Sequence, residues 1–265
     1  MKTVLATIVH FCLVFQMAGA TDVYMVIGQS NGWRLSSLAD FPADPTGGEV
    51  LYFPMACGNR PETTELQVIR QLHPSCQGLG LAERLLKQAG GADIIFLQYC
   101  VCGASLGDEI NWYPGEDPAA GVVNDNGLYA KFLKYAANAR EQVAALGHDW
   151  DVKGVFWHQG EADSNVKAAQ YEANFRHLVE RLRLDLGDGV PIVAGKIRSL
   201  SERAKLVNAA LDAVAVSDSN LAVVEVDDLP SESPTDVHFN TEGCHQLGQR
   251  LAEAFLELTM SDDGK

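Results

Sequence analysis

The sequence predicts an α/β fold, a three-layer sandwich built on a central, mostly parallel sheet of five strands. Three observations predict it. Short apolar runs rich in β-branched and aromatic residues alternate with longer segments of helical period. Several of the short runs are apolar at every position, as expected where helices cover both faces of a parallel sheet. About 245 residues follow an N-terminal leader, enough for one domain with a substantial core.

The leader comes first. Lys2 gives a positive start, residues 4–14 are mostly apolar, and Ala18-Gly19-Ala20 offers a small-residue cleavage site. Residues 1–20 therefore read as a secretory signal peptide, too short and wrongly flanked for a membrane span. The expected location is secreted or periplasmic, with a single domain over residues 21–265. No later segment approaches ~20 consecutive apolar residues, so no membrane span is expected.

Strands are expected at residues 23–27, 94–101, 152–157, 192–197 and 221–226, and helices at 79–88, 128–146, 168–186, 201–215 and 242–258. In the second helix Leu128, Phe132, Tyr135, Ala136, Ala139, Val143 and Leu146 recur at spacings of three and four, one helical face. Strand-helix alternation implies right-handed crossovers and a doubly wound sheet. Residues 106–127 form the one long irregular stretch and contain Trp112 and Tyr113. Ligands of such sheets bind beyond the carboxyl ends of the strands.

The formal charge of −15 excludes a nucleic-acid binder, which needs a basic surface, and disfavours an anionic substrate. Beyond the leader stand Cys57, Cys76, Cys100, Cys102 and Cys244, an odd count that leaves at least one thiol free or paired between chains. Cys57 and Cys76 flank a polar stretch and are the first choice for a disulfide; the pairing is otherwise open. Cys100 and Cys102 read as small buried residues under a site. No His/Cys spacing matches a zinc site, so no metal or cofactor is expected.

Three polar clusters follow expected strands or precede the last helix. The first is Gly28-Gln29-Ser30-Asn31-Gly32, where Ser30 is either a nucleophile beside backbone N–H donors or a helix cap. The second is Trp157-His158-Gln159-Gly160-Glu161-Ala162-Asp163. Here Gln159 can donate to a developing negative charge, while Glu161 or Asp163 orients a neighbour; alternatively Asp163 caps a helix and His158 is a satisfied structural residue. The third is Thr235-Asp236-Val237-His238-Phe239-Asn240, which supplies either a base and its orienting acid or an exposed helix-start loop.

Together the clusters resemble the SGNH hydrolase superfamily, whose fold is flavodoxin-like, and within it the sialate O-acetylesterase-like branch, carbohydrate esterase family six and relatives. "GQSN" resembles the nucleophile block, "CGASLGDEINW" the second, "WHQGEAD" the third and "DVHFNTEGCHQLG" the histidine block. The resemblance covers essentially the whole mature chain. It implies Ser30 as nucleophile, His238 as general base, and an oxyanion hole of the Ser30 and Gly103 N–H groups with the Gln159 amide. Two departures stand out. The family's acid precedes the histidine by three, where this chain has Thr235; Asp236 stands two before, and in an extended segment it would still reach the imidazole. Glu161 is the reserve acid. Cys102-Gly103-Ala104 replaces Gly-Gly-Thr.

The resulting expectation is an esterase that removes acetyl groups from a carbohydrate, such as acetylxylan or a sialic acid, through an acetyl-enzyme. Trp112 and Tyr113, with Trp33, would form an aromatic platform for the sugar. The rivals are a catalytically dead carbohydrate-binding protein on the same scaffold and a lipase-like SGNH esterase.

Overall fold

The computed structural model describes residues 20–33, 50–54, 67–68, 76–89, 93–107, 111–115, 127–165 and 167–260. Along the chain run β1 (Ala20–Gly28), α1 (Ser30–Trp33), β2 (Val50–Pro54), β3 (Gln67–Val68), α2 (Cys76–Ala89) and β4 (Ile94–Cys100). Then come α3 (Leu128–Ala145), β5 (Asp149–His158), α4 (Tyr171–Leu186), β6 (Ile192–Gly195), α5 (Glu202–Val216), β7 (Leu221–Val224) and α6 (Thr241–Met260). The sheet has seven strands rather than five, in the order β3-β2-β4-β1-β5-β6-β7. The five expected strands are contiguous in it and mutually parallel. β2 joins β4 in parallel, and β3 pairs antiparallel with β2 at the edge. Both were missed for a physical reason: a two-residue edge strand has no period, and β2 stands in a stretch without a neighbouring helical pattern.

Each central strand serves two cores. In β1, Val23, Met25 and Ile27 face one hydrophobic cluster, while Tyr24 and Val26 face the other. β4 divides likewise, with Ile95, Leu97 and Tyr99 on one side and Ile94, Phe96 and Cys100 on the other. Side chains alternate along any strand, so continuous apolarity means both faces are covered. Helices α3, α4 and α5 close the first face, through residues such as Phe132, Phe175 and Leu211. Helices α2 and α6 close the second, through Leu85, Leu247 and Phe255.

Ser201 caps α5 by accepting from the Ala204 N–H at 3.1 Å, which moves the helix start one residue beyond the expected one. The helix expected from residue 168 begins as a 3-10 turn, Ala168–Gln170, before α4. Residues 1–19 of the expected leader lie outside the described residues, and β1 starts at Ala20, the last position assigned to it from sequence. Among the described residues no helix is long and apolar enough to cross a membrane.

Cys100 and Cys244 are buried and outside any disulfide. Cys102 is neither: it is exposed and disulfide-bonded. It lies beyond the end of β4, where the chain turns outward, so its expected burial does not hold. The Cys57–Cys76 pairing falls outside the described side chains.

The chain leaves β1 toward β2 on one side and later returns to add β5, β6 and β7 on the other. Beyond the carboxyl end of β1 lies the switch point of the sheet, the place such folds reserve for ligands.

Candidate active site

β1 and β5 approach so closely that only glycine fits at residue 28. A Cβ there would lie 2.0 Å from the His158 carbonyl oxygen, and the Gly28 φ of +142° is one L side chains rarely adopt. The Gln29 N–H donates to that same oxygen at 2.9 Å, after which the chain lifts off the sheet and Ser30 opens the four-residue α1. The hydroxyl of Ser30 is therefore partly exposed above the sheet edge.

His238 arrives from the loop between β7 and α6. Buried Phe239 roots that loop, the Asn240 N–H donates to Pro230 O at 3.2 Å, and Asn31 brackets His238 on both sides. Asn31 Nδ2 donates to Val237 O at 3.0 Å, and the Phe239 N–H donates to Asn31 Oδ1 at 3.2 Å. Ser30 and His238 are thus tied together by the residue that follows the serine.

His238 Nε2 lies 3.2 Å from Ser30 Oγ, and His238 Nδ1 lies 3.0 Å from Asp236 Oδ1. A carboxylate only accepts, so a neutral imidazole here carries its proton on Nδ1 and turns the Nε2 lone pair toward the hydroxyl. Asp236 does not reach the ring along an extended segment, as expected from sequence. It sits at a turn, closed by the Asp236 N–H donating to Ser233 O at 3.1 Å, and its Oδ1 also accepts the His238 N–H at 2.8 Å. The carboxylate folds back on its own chain two residues on, an Asx turn. Thr235, at the family's usual acid position, is exposed.

Glu161, the reserve acid, is buried elsewhere. Its Oε1 accepts from Asn31 Nδ2 at 2.6 Å and lies 3.9 Å from His158 Nδ1. His158 is wholly buried, and burial pushes its pKa down, so the ring is neutral. It packs edge-on against Phe239, with ring centroids 5.9 Å apart. The ring is buried as a structural residue would be, but neither of its nitrogens has a hydrogen-bond partner among the described residues, so it is not the satisfied histidine expected from sequence.

The Gly103 φ of +73° suits the third place of a turn in which the Ala104 N–H donates to Val101 O at 3.2 Å. Gly103 is exposed, with nothing within 4 Å of where a Cβ would stand, so its backbone is open to a ligand. The following loop is held by Asp163, whose carboxylate accepts from the Leu106 N–H at 2.8 Å and the Gly107 N–H at 3.0 Å.

Gln159 requires a correction. It is fully buried, and its amide nitrogen donates to Asp163 Oδ2 at 2.6 Å, Ala104 O at 3.0 Å and Gln29 Oε1 at 3.1 Å. With both N–H bonds directed inward, it fastens its own cluster to Gln29 of the first and to Ala104 in the loop after β4, and offers no donor to an oxyanion. The platform is corrected too. Trp112 is 0% exposed, donates from Nε1 to Gly28 O at 3.0 Å and packs edge-on against Trp157. Tyr113 is half-buried, its ring 5.5 Å from that of His177, and the Trp33 side chain lies outside the described residues. Sequence reasoning missed Arg198, whose guanidinium donates to backbone carbonyls of the Asp236 turn; its single positive charge after β6 carries no motif.

The family model described as "Carbohydrate esterase, sialic acid-specific acetylesterase" matches residues 20–257. The chain belongs to that family. Among solved structures, this esterase-family chain is similar to a protein from Arabidopsis thaliana, with 21% identity and a TM-score of 0.63 over 90% of this chain and 98% of that one. It is similar to a carbohydrate acetylesterase from Xanthomonas citri, with 16% identity and a TM-score of 0.64 over 91% of this chain and 57% of that one. NanS matches with 17% identity and a TM-score of 0.60 over 91% and 98%. No curated protein compared by sequence matches. At these identities the structural likeness speaks for the fold, an SGNH-type α/β sandwich.

Proposed function

We propose that this protein is a secreted or periplasmic serine esterase that removes O-acetyl groups from a carbohydrate. One observation carries the proposal: the continuous relay from Ser30 Oγ through His238 to Asp236, at 3.2 and 3.0 Å, above the switch point of the sheet. Family membership supports the acetylated carbohydrate, and the leader supports export.

Ser30 attacks the ester carbonyl while His238 Nε2 takes the hydroxyl proton and Asp236 steadies the imidazolium. The Ser30 and Gly103 N–H groups hold the oxyanion. Collapse expels the sugar hydroxyl, which receives the proton from His238, and leaves an acetyl-enzyme. Water, deprotonated by His238, then releases acetate. A net charge of −15 favours a neutral acetylated glycan over an anionic one.

The test is acetate release from acetylxylan and from an O-acetylated sialic acid, beside a p-nitrophenyl ester series of increasing acyl length, in the wild type and in Ser30→Ala. Activity on an acetylated glycan, preference for acetyl over longer chains, and loss of at least about a hundredfold in the variant are expected. Preference for long acyl chains would make it a lipase-like enzyme instead. Glycan binding without turnover would make it a lectin-like relative.

A further inference from the structure

The acid of this relay stands in an exposed turn: Pro234 and Thr235 are exposed, and the Asp236 side chain is 39% exposed. An exposed turn samples many conformations, yet a carboxylate that orients an imidazole must hold its place closely. Something beneath has to fix it. Arg198 Nη1 donates to Ser233 O at 3.1 Å and to Asp236 O, and Nη2 donates to Pro234 O at 3.2 Å. Three carbonyls of one turn thus converge on a single guanidinium.

Arg198 is itself anchored. The preceding Ile197 N–H donates to Asn208 Oδ1 at 2.9 Å, and Asn208 Nδ2 returns a bond to Ile197 O at 2.7 Å. The following Ser199 N–H donates to Asp227 Oδ1 at 2.8 Å. The fork therefore projects from a strand end that α5 and the post-β7 loop pin on both sides. A planar, five-donor guanidinium serves several carbonyls at once, which a lysine ammonium on a flexible stem does not.

We propose that Arg198 is a positioning residue that acts through Asp236, holding the turn from which this chain, with its acid one place nearer the histidine, still reaches His238 Nδ1. The inference rests on the esterase reading above and adds a residue to it.

A double-mutant cycle on p-nitrophenyl acetate turnover tests it, using wild type, Arg198→Ala, Asp236→Asn and the double variant, with thermal unfolding recorded for each. Arg198→Ala should lower kcat by about 10²-fold with KM nearly unchanged, the size of effect a misplaced group produces. In the Asp236→Asn background the same change should cost less than about threefold, because coupled residues are not additive. Equal losses in both backgrounds would overturn the proposal, since Arg198 would then act elsewhere. If Asp236→Asn is crippled and Arg198→Ala is not, the Arg198 role alone falls. If Asp236→Asn keeps full turnover, the acid assignment falls and takes the Arg198 role with it. Arg198→Lys covers the case in which the alanine variant fails to fold: it should still lose about tenfold or more, and wild-type turnover in it would overturn the proposal.

Discussion

Ser30 and His238 were legible because each stands in a short polar cluster that follows an apolar run or precedes a helix, and chemistry rarely crowds there otherwise. Asp236 was legible as a residue but not as a geometry. An Asx turn depends on the chain folding back, which no alternation rule reveals. Gln159 shows the opposite failure: its motif was read correctly and its side chain was not, because its acceptors come from Gln29, Ala104 and Asp163. Gln159→Ala should first lower thermal stability, since buried acceptors deprived of a donor cost about 1–3 kcal/mol each. Unchanged unfolding together with a kcat loss of about 10²–10³-fold would return Gln159 to the oxyanion hole.

Elements were legible where a period or a continuous apolar run lasted long enough to be read. All five expected strands and all five expected helices are present, with ends displaced by a few residues. The two extra strands sit at the β2–β3 edge, where pairing of β2 with β4 and of β3 with β2, rather than intrinsic pattern, makes them strands. The element that matters most for the site is the close β1–β5 pair. Gly28→Ala sets a Cβ 2.0 Å from a backbone carbonyl, and no flexible side chain can yield there. The strands must part or the turn must shift, so both thermal stability and esterase turnover should fall sharply. A variant that keeps both would contradict the approach described for these strands.

At the scale of the molecule, the parallel order and the reversal at β1 bring three distant clusters to one sheet edge. A wide groove lined by Tyr24, Trp150, Val190 and Phe255 lies toward the other end of the strands and contributes nothing to the relay. The whole fold also carries a pH signature. Neutral His158 has its pKa lowered by burial from the ordinary 6.5, so below that value the unfolded chain takes up a proton that the folded one resists. Folding stability contributed by this group is present above the ordinary histidine pKa and is lost as pH falls below it. Unfolding temperature measured from about pH 7.5 to about pH 5 should decline toward acid, and His158→Gln should flatten that decline. Identical slopes in the two proteins would remove His158 from the account.

The central claim is that Ser30 is the nucleophile activated by His238. The most direct measurement is covalent labelling with a serine-reactive phosphonate ester, read by intact mass and by peptide mapping. One adduct, on the peptide carrying Ser30, should form in step with loss of acetylesterase turnover and should fail to form at a comparable rate in His238→Ala. Complete inactivation with the label on another residue, or full activity with Ser30 labelled, would contradict it.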